Sequence, residues 1–344
     1  TDVLKTYLRD NRPYLGICLG FQVLFESSEE APGIPGLGII PGQVRRFNTK
    51  LSIPHIGWNG VCQHQPSRLF KGVDSAEKFY FVHSFHVVPQ DKSVVLTTTD
   101  YDERFVSSIQ QGNIIATQFH PEKSGQIGLQ LFGNFVTQNV PPNPGLTLGA
   151  EKTVLAKRII ACLDVRSNDA GDLVVTKGDQ YDVREQGEVR NLGQPVDLAG
   201  CYYQEGADEI TFLNITGFRD FPLEDMPMLE VLKRTSENVF VPLTIGGGIR
   251  AFTDQQGRSY SALDVAHEYF RSGADKISIG SDAVSIVEAY LQSGQKTGSS
   301  SIEQISRKYG SQAVVISVDP RRVYVDSPDG IEHQVIKTTQ VGPS

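Results

Sequence analysis

Cys18 stands between Gly16 and Gly20 in the run Tyr14-Leu15-Gly16-Ile17-Cys18-Leu19-Gly20-Phe21-Gln22-Val23-Leu24-Phe25. An apolar, strand-like entry passes there into a helical pattern, which puts the thiol on a sharp strand-to-helix turn. Glycines let such a nucleophile elbow close, and the helix start behind it favours a thiolate and offers amides to an oxyanion. A lone cysteine also reads as a small buried core residue. Further on, His120-Pro121-Glu122 follows the apolar strand Ile114 to Phe119. At a strand end, residues two apart lie on one side, so imidazole and carboxylate face the same way. Cys18, His120 and Glu122 then make a triad: His120 takes the thiol proton, and Glu122 holds the ring in the right tautomer.

Other elements must position these groups. Ser28 to Pro41 is rich in Gly, Pro and Glu and reads as a surface loop leading into a strand at Gly42 to Phe47. Ile53 to Asn59 carries the single tryptophan, and His55 reads as a structural histidine beside that packed ring, since one triad already supplies a base. Phe79 to Phe85 reads as sheet core. A helix from Gln126 to Gln138 precedes Pro141-Pro142-Asn143-Pro144-Gly145, which can be neither helix nor central strand and acts as a spacer. The division expected is 1–139, a linker at 140–152, and 153–344.

Behind the linker, apolar strands at Leu155 to Asp164, Glu209 to Asn214, Val239 to Ile245, Lys276 to Ile279 and Ala313 to Val318 alternate with helical patterns. These run over Asp197 to Gln204, Met228 to Ser236, Leu263 to Arg271 and Ile302 to Tyr309. Alternation of this kind implies a parallel sheet. A polar or glycine residue closes each strand: Asp164, Asn214, Gly246, Gly280 and Asp319. That favours a TIM barrel, whose active site is built from its strand ends, over a doubly wound sheet with one switch point. Gly246-Gly247-Gly248 lets amides approach a phosphate and Ser281 can add a hydroxyl, although a glycine triplet also serves as a plain turn. The fold class expected is α/β throughout.

Composition narrows the function classes. The 344 residues are 39% hydrophobic and 21% charged, ordinary for a globular protein and long enough for two domains. A net charge of -8 leaves no basic footprint for nucleic acid. No apolar run reaches the roughly 20 residues of a membrane span. Cys18, Cys62, Cys162 and Cys201 lack paired spacing, which argues against a metal site or a disulfide framework and for a reducing compartment.

Gly-Ile-Cys-Leu-Gly together with His-Pro-Glu-Lys-Ser resembles the class I glutamine amidotransferases over residues 1 to about 138. The resemblance implies a glutaminase, with Gln22 binding glutamine and the His-Ser-Phe backbone at Ser84 and Phe85 bordering the pocket. The second half resembles the cyclase of the imidazole glycerol phosphate synthase family from about 155 to 326. It does so through Leu-Ala-Lys-Arg-Ile-Ile-Ala-Cys-Leu-Asp-Val, Val-Val-Thr-Lys-Gly, Thr-Ile-Gly-Gly-Gly-Ile and Val-Ile-Ser-Val-Asp. Joined, the halves resemble that family's fused form in fungi and plants, the plant form most closely. The plant likeness implies a chloroplast, with the cytoplasm as the alternative.

In the family, ammonia released at the triad is used to split and close a phosphorylated ribonucleotide intermediate. Asp164 and Asp319 match its acid and base pair, though a strand-end Asp also serves as a helix N-cap. Lys177 is a candidate substrate contact, with a solvated lysine as the alternative. Asn214 and Gly280 depart from the Asp and Asn of bacterial cyclases. Arg158, Glu209 and Lys276 match three of the four members of a charged ammonia gate, and charges flanking buried strands are unusual without a role. Lys123 and Asp275 match a cross-domain ion pair. The implied partners are small molecules, glutamine and the ribonucleotide intermediate; no metal, cofactor, nucleic acid or membrane is implied.

The chain reads as a fragment. It starts at Thr1 inside the helix before the elbow strand, without the family's upstream oxyanion loop, and only five of eight barrel strands are expected, with fewer than the roughly 250 residues of a full barrel behind the linker. Competing readings are an amidotransferase serving another synthase, and a non-catalytic or inactive protein.

Overall fold

The computed structural model describes residues 2–137, 152–176, 184–185, 188–189, 191–215, 223, 226–318, 323–327, 329–332 and 334–336. The first half runs α1 (Asp2–Arg9), β1 (Tyr14–Ile17), α2 (Leu19–Gln22), β2 (Ser27–Ser28), β3 (Gly42–Arg46), β4 (His55–Asn59), β5 (Cys62–Gln63), β6 (Phe79–His83), β7 (Phe85–Pro89), β8 (Val95–Tyr101), β9 (Glu103–Gln111), β10 (Ile114–Thr117) and α3 (Gly125–Val136). Eight of its strands form one sheet in the order β1-β10-β9-β7-β3-β2, with β8 and β5 joined at β9. β1 and β10 are parallel neighbours, Ile17 opposite Thr117. That pairing is what brings Cys18 and His120, far apart in the chain, to adjacent strand ends.

β4 and β6 form a separate antiparallel pair. Because strand residues alternate faces, His55 and Trp58 point opposite ways. His55 is fully buried against Phe81 and Tyr101, with ring centroids 4.9 and 4.1 Å away, so it is structural, but it does not sit beside the tryptophan. Trp58 and Tyr80 instead join the hydrophobic core of the second half.

The second half runs β11 (Ile160–Ser167), β12 (Leu173–Thr176), β13 (Arg184–Glu185), β14 (Glu188–Val189), α4 (Pro195–Gln204), β15 (Glu209–Asn214), α5 (Pro227–Ser236), β16 (Leu243–Gly246), β17 (Phe252–Thr253), β18 (Ser259–Tyr260), α6 (Ala262–Arg271), β19 (Lys276–Ile279), α7 (Ser281–Ser293), α8 (Ser301–Tyr309) and β20 (Val314–Ile316). β11, β15, β16, β19 and β20 stand parallel, side by side in chain order, and β12 folds back antiparallel on β11. Proline opens α4 and α5 where its missing N–H costs nothing, and capping boxes at Ser261/Asp264 and Ser300/Glu303 start α6 and α8.

Several expected boundaries shift. The first strand here begins at Ile160, not Leu155, because residues 153–158 lie along the first half: Ala156 N–H donates to Trp58 O at 2.7 Å and Thr153 N–H to Asp100 Oδ2 at 2.9 Å. Two helices, not one, separate β19 from β20. The unexpected α7 exposes Val284, Val287, Tyr290 and Leu291, so its apolar residues do not mark a buried stripe.

Candidate active site

The elbow is a sharp turn. Cys18 has φ 49° and ψ -101°, a conformation unusual for a side-chain-bearing residue, and its N–H donates to Thr117 O at 2.8 Å. A Cβ on Gly16 would lie 2.6 Å from Gly20 O, so the turn closes only with glycine there. The amides at the start of α2 have no partner within the helix, and the one after the nucleophile suits an oxyanion.

His120 and Glu122 do meet, by a different route from the one the sequence suggests. β10 stops at Thr117, and Pro121–Lys123 forms a 3₁₀ turn, so the pair is brought together by a turn and not by strand alternation. His120 Nδ1 lies 2.7 Å from Glu122 Oε1. His120 Nε2 is buried without a hydrogen-bond partner. Burial works against a charge on this imidazole, but the hydrogen bond to Glu122 and the electrostatic attraction of Cys18 and Glu122 outweigh it and raise its pKa to about 10. Glu122 is also penalised by burial, and His120 nevertheless holds its pKa below the usual carboxylate range. An imidazole so flanked can take a thiol proton and keep it.

Gln22 is buried, and its Nε2 donates to Phe85 O at 3.1 Å and to Gln118 Oε1 at 3.0 Å. The Ser84 carbonyl faces away into a bond from Phe47 N–H. Sequence reading missed Gln118, whose Nε2 donates to Cys18 Sγ at 3.5 Å. The available signal was a polar amide, fully buried, within the apolar run before His120.

The triad strand ends abut the N-terminal ends of the parallel strands. Lys123 Nζ lies 2.8 Å from Asp275 Oδ2, and Gly125 N–H donates to Phe240 O at 2.9 Å. Beside them, Glu209 at the start of β15 receives Arg158 Nη1 at 2.7 Å and Lys276 Nζ at 2.6 Å. Glu209 and Lys276 are buried, at 1% and 5% exposure. Tyr80, which sequence reading left as sheet core, separates the two groups: its carbonyl accepts from His120 N–H at 2.8 Å, and its ring lies 5.8 Å from Lys276 Nζ.

Toward the opposite ends, β11 runs on to Ser167 where it pairs with β12, so Asp164 lies within the strand and does not close it, and burial raises its pKa. Gly247 and Gly248 follow β16 with φ of 88° and 72°, and a Cβ on Gly247 would fall 2.0 Å from Asn214 O. Only glycine fits there, and its amide is left at the strand end. Ser281 opens α7 after β19, with only its backbone described. Lys177 and Asp319 lie outside the described residues. All four cysteines are free, and no group of three metal-ligating side chains occurs among the described residues. No described helix is long and apolar enough to cross a membrane.

An amidotransferase elbow set against the lower face of a parallel α/β sheet defines a class of fused proteins. A family model described as "Histidine biosynthesis protein" matches residues 158–342, and one described as "Glutamine amidotransferase class-I" matches residues 2–139. The chain belongs to the histidine biosynthesis protein family, with a class-I glutamine amidotransferase unit preceding that part. It is 59% identical over 350 residues to the protein of Arabidopsis thaliana named imidazole glycerol phosphate synthase hisHF, chloroplastic, covering 100% of this chain and 59% of that one. It is 52% identical over 357 residues to imidazole glycerol phosphate synthase hisHF of Emericella nidulans, covering 97% and 64%. Its first part is 47% identical over 145 residues to imidazole glycerol phosphate synthase subunit HisH of Aromatoleum aromaticum, covering 40% of this chain and 68% of that one. The chain spans 59% and 64% of the length of the two fused relatives.

Proposed function

We propose that this chain is part of a bifunctional imidazole glycerol phosphate synthase, with a glutaminase at 1–139, a linker at 140–152 and the first five strands of a cyclase barrel at 153–344. One observation carries the reading: Lys123, three residues past His120, reaches Asp275 at 2.8 Å, so the thiol site is coupled to the end of the sheet where Glu209 and Lys276 lie buried.

Cys18 Sγ attacks the side-chain amide carbon of glutamine. His120, oriented by Glu122, takes the thiol proton and gives it to the departing nitrogen, which leaves as ammonia. Water then cleaves the thioester to glutamate and restores the thiol. Gln22 binds the glutamine, and the Ser84–Phe85 backbone borders its pocket. Ammonia passes Arg158, Glu209 and Lys276 to the far strand ends, where Asp164 and Asp319 serve as acid and base on phosphoribulosyl-formimino-AICAR-phosphate. The products are imidazole glycerol phosphate and AICAR. The amides of Gly247 and Gly248, with Ser281, hold a phosphate of that substrate, and Lys177 contacts it. Asp164, whose proton affinity is raised by burial, suits the acid role. The name of the Arabidopsis relative supports a chloroplast location, against the cytoplasm.

In the full-length enzyme, Cys18→Ala abolishes product formation from glutamine and leaves formation from ammonium salt near the wild-type rate. Loss of both activities, or of neither, refutes the division of labour.

A further inference from the structure

Two runs of hydrogen bonds converge on the Phe85 carbonyl, and the one that leaves through Gln22 and Gln118 ends on the Cys18 sulfur. Gly60 N–H donates to Asn59 Oδ1 at 2.8 Å, which turns the amide group of Asn59 toward Asp100 O at 3.0 Å and His55 Nε2 at 3.5 Å. His83 Nδ1 lies 2.7 Å from Phe85 O; a carbonyl only accepts, so that nitrogen carries the hydrogen and His83 Nε2 is an acceptor. His55 Nδ1, 3.1 Å from His83 Nε2, is therefore a donor. Both rings are neutral in this arrangement. Their burial favours that form.

The same Phe85 carbonyl accepts from Gln22 Nε2, which rules out the flipped Gln22 amide, because its oxygen would then face another oxygen. The second hydrogen of Gln22 Nε2 goes to Gln118 Oε1. Gln118 is thereby oriented with its NH₂ toward Cys18 Sγ, at 3.5 Å. Gln118 is 0% exposed, so no water competes for either end of its amide.

The geometry points to Gln118 as a further catalytic residue of the glutaminase, one that holds a fixed N–H donor on the attacking sulfur while the Phe85 carbonyl positions it through Gln22. This rests on the reading of Cys18 as the nucleophile. A donor to a charged acceptor forms a bond about twice as strong as to a neutral one, so a fixed N–H favours the thiolate over the thiol and helps move the proton onto His120. An acceptor at the same place would do the reverse.

Gln118→Glu removes the donor, since a carboxylate still accepts from Gln22 but has none for the sulfur, and Gln118→Met removes it without adding a charge, so the two together separate this role from a structural one. In the full chain, iodoacetamide alkylation of the Cys18 peptide is followed by mass spectrometry from acid to alkaline pH. In Gln118→Glu the midpoint moves to higher pH by about one unit or more, as for a like charge placed beside an ionising group. Gln118→Met, of similar shape and uncharged, moves it the same way by less, and decides the matter if the Glu variant fails to fold. Glutaminase kcat falls at least tenfold in Gln118→Glu with KM for glutamine changed less. Profiles superimposable on wild type, with Cys18 still labelled ahead of the exposed Cys162 and Cys201, overturn the role of Gln118 and leave the nucleophile standing. A wild-type Cys18 that reacts no faster than Cys162 and Cys201 overturns both.

Discussion

Replacing Glu209 by alanine tests whether the charges between the two halves form one balanced group. The carboxylate holds Lys276 Nζ at 2.6 Å and Arg158 Nη1 at 2.7 Å. Lys276 has a side-chain exposure of 6% and, once Glu209 is gone, keeps only the Tyr80 ring at 5.8 Å. Arg158, at 34%, can turn to solvent. Removing one partner from a buried pair costs about 3–5 kcal/mol, because the charge left behind is uncompensated. At about 2–4 °C per kcal/mol for a unit of this size, Glu209→Ala lowers the melting temperature by roughly 6–20 °C. Lys276→Met is expected to cost far less, since Glu209 keeps Arg158. The double variant Glu209→Ala/Lys276→Met loses less than Glu209→Ala alone, because no buried charge is left uncompensated. Thermal unfolding by circular dichroism and calorimetry on the four proteins closes the cycle. Equal losses in Glu209→Ala and Lys276→Met, or strictly additive losses in the double variant, would refute the reasoning.

Three further outcomes follow from the geometry. Gly16→Ala places a Cβ 2.6 Å from the Gly20 carbonyl, so glutaminase kcat drops at least about 100-fold, the loss typical of a misplaced reacting group, while ammonia-dependent synthesis in the full-length enzyme is retained. Under the proposed function a ligand of the cyclase half is expected to stimulate the glutaminase, and Asp275→Ala, which breaks the 2.8 Å contact with Lys123, reduces that stimulation by about 5–150-fold, the range of a coupling of about 1–3 kcal/mol; unchanged stimulation in a steady-state glutamate assay rules out this route. His55 is held neutral by burial, with its pKa lowered to about 3, so folded and unfolded chains differ in proton affinity between that value and about 6.5. The stability it contributes is whole above about pH 6.5 and is lost as pH falls toward 3, by several kcal/mol, and His55→Phe makes the acid limb of a stability–pH curve shallower.

Much of this protein is legible in one dimension because local chemistry dictates it. Gly16 permits a turn at Cys18 that no larger residue closes, and alternating apolar strands and helices imply parallel pairing. Strand Glu209–Asn214 and strand Lys276–Ile279 fall where their apolar runs end, since both lie in the middle of a sheet covered on both faces. Other features depend on contacts between residues distant in sequence, which no local pattern encodes. The Glu122 carboxylate reaches His120 through a 3₁₀ turn beyond the strand, and not through strand alternation. Residues 153–158 look like strand by composition, yet they lie on the first half because Trp58 and Asp100 offer them hydrogen bonds. Tyr80 reads as one more core aromatic, and only the meeting of the two halves puts it between His120 and Lys276. Gln118 shows the limit most directly. A buried amide has two donors and one acceptor to satisfy, and which of them faces the sulfur is decided by Gln22 and the Phe85 carbonyl, brought together by the sheet and not by the chain.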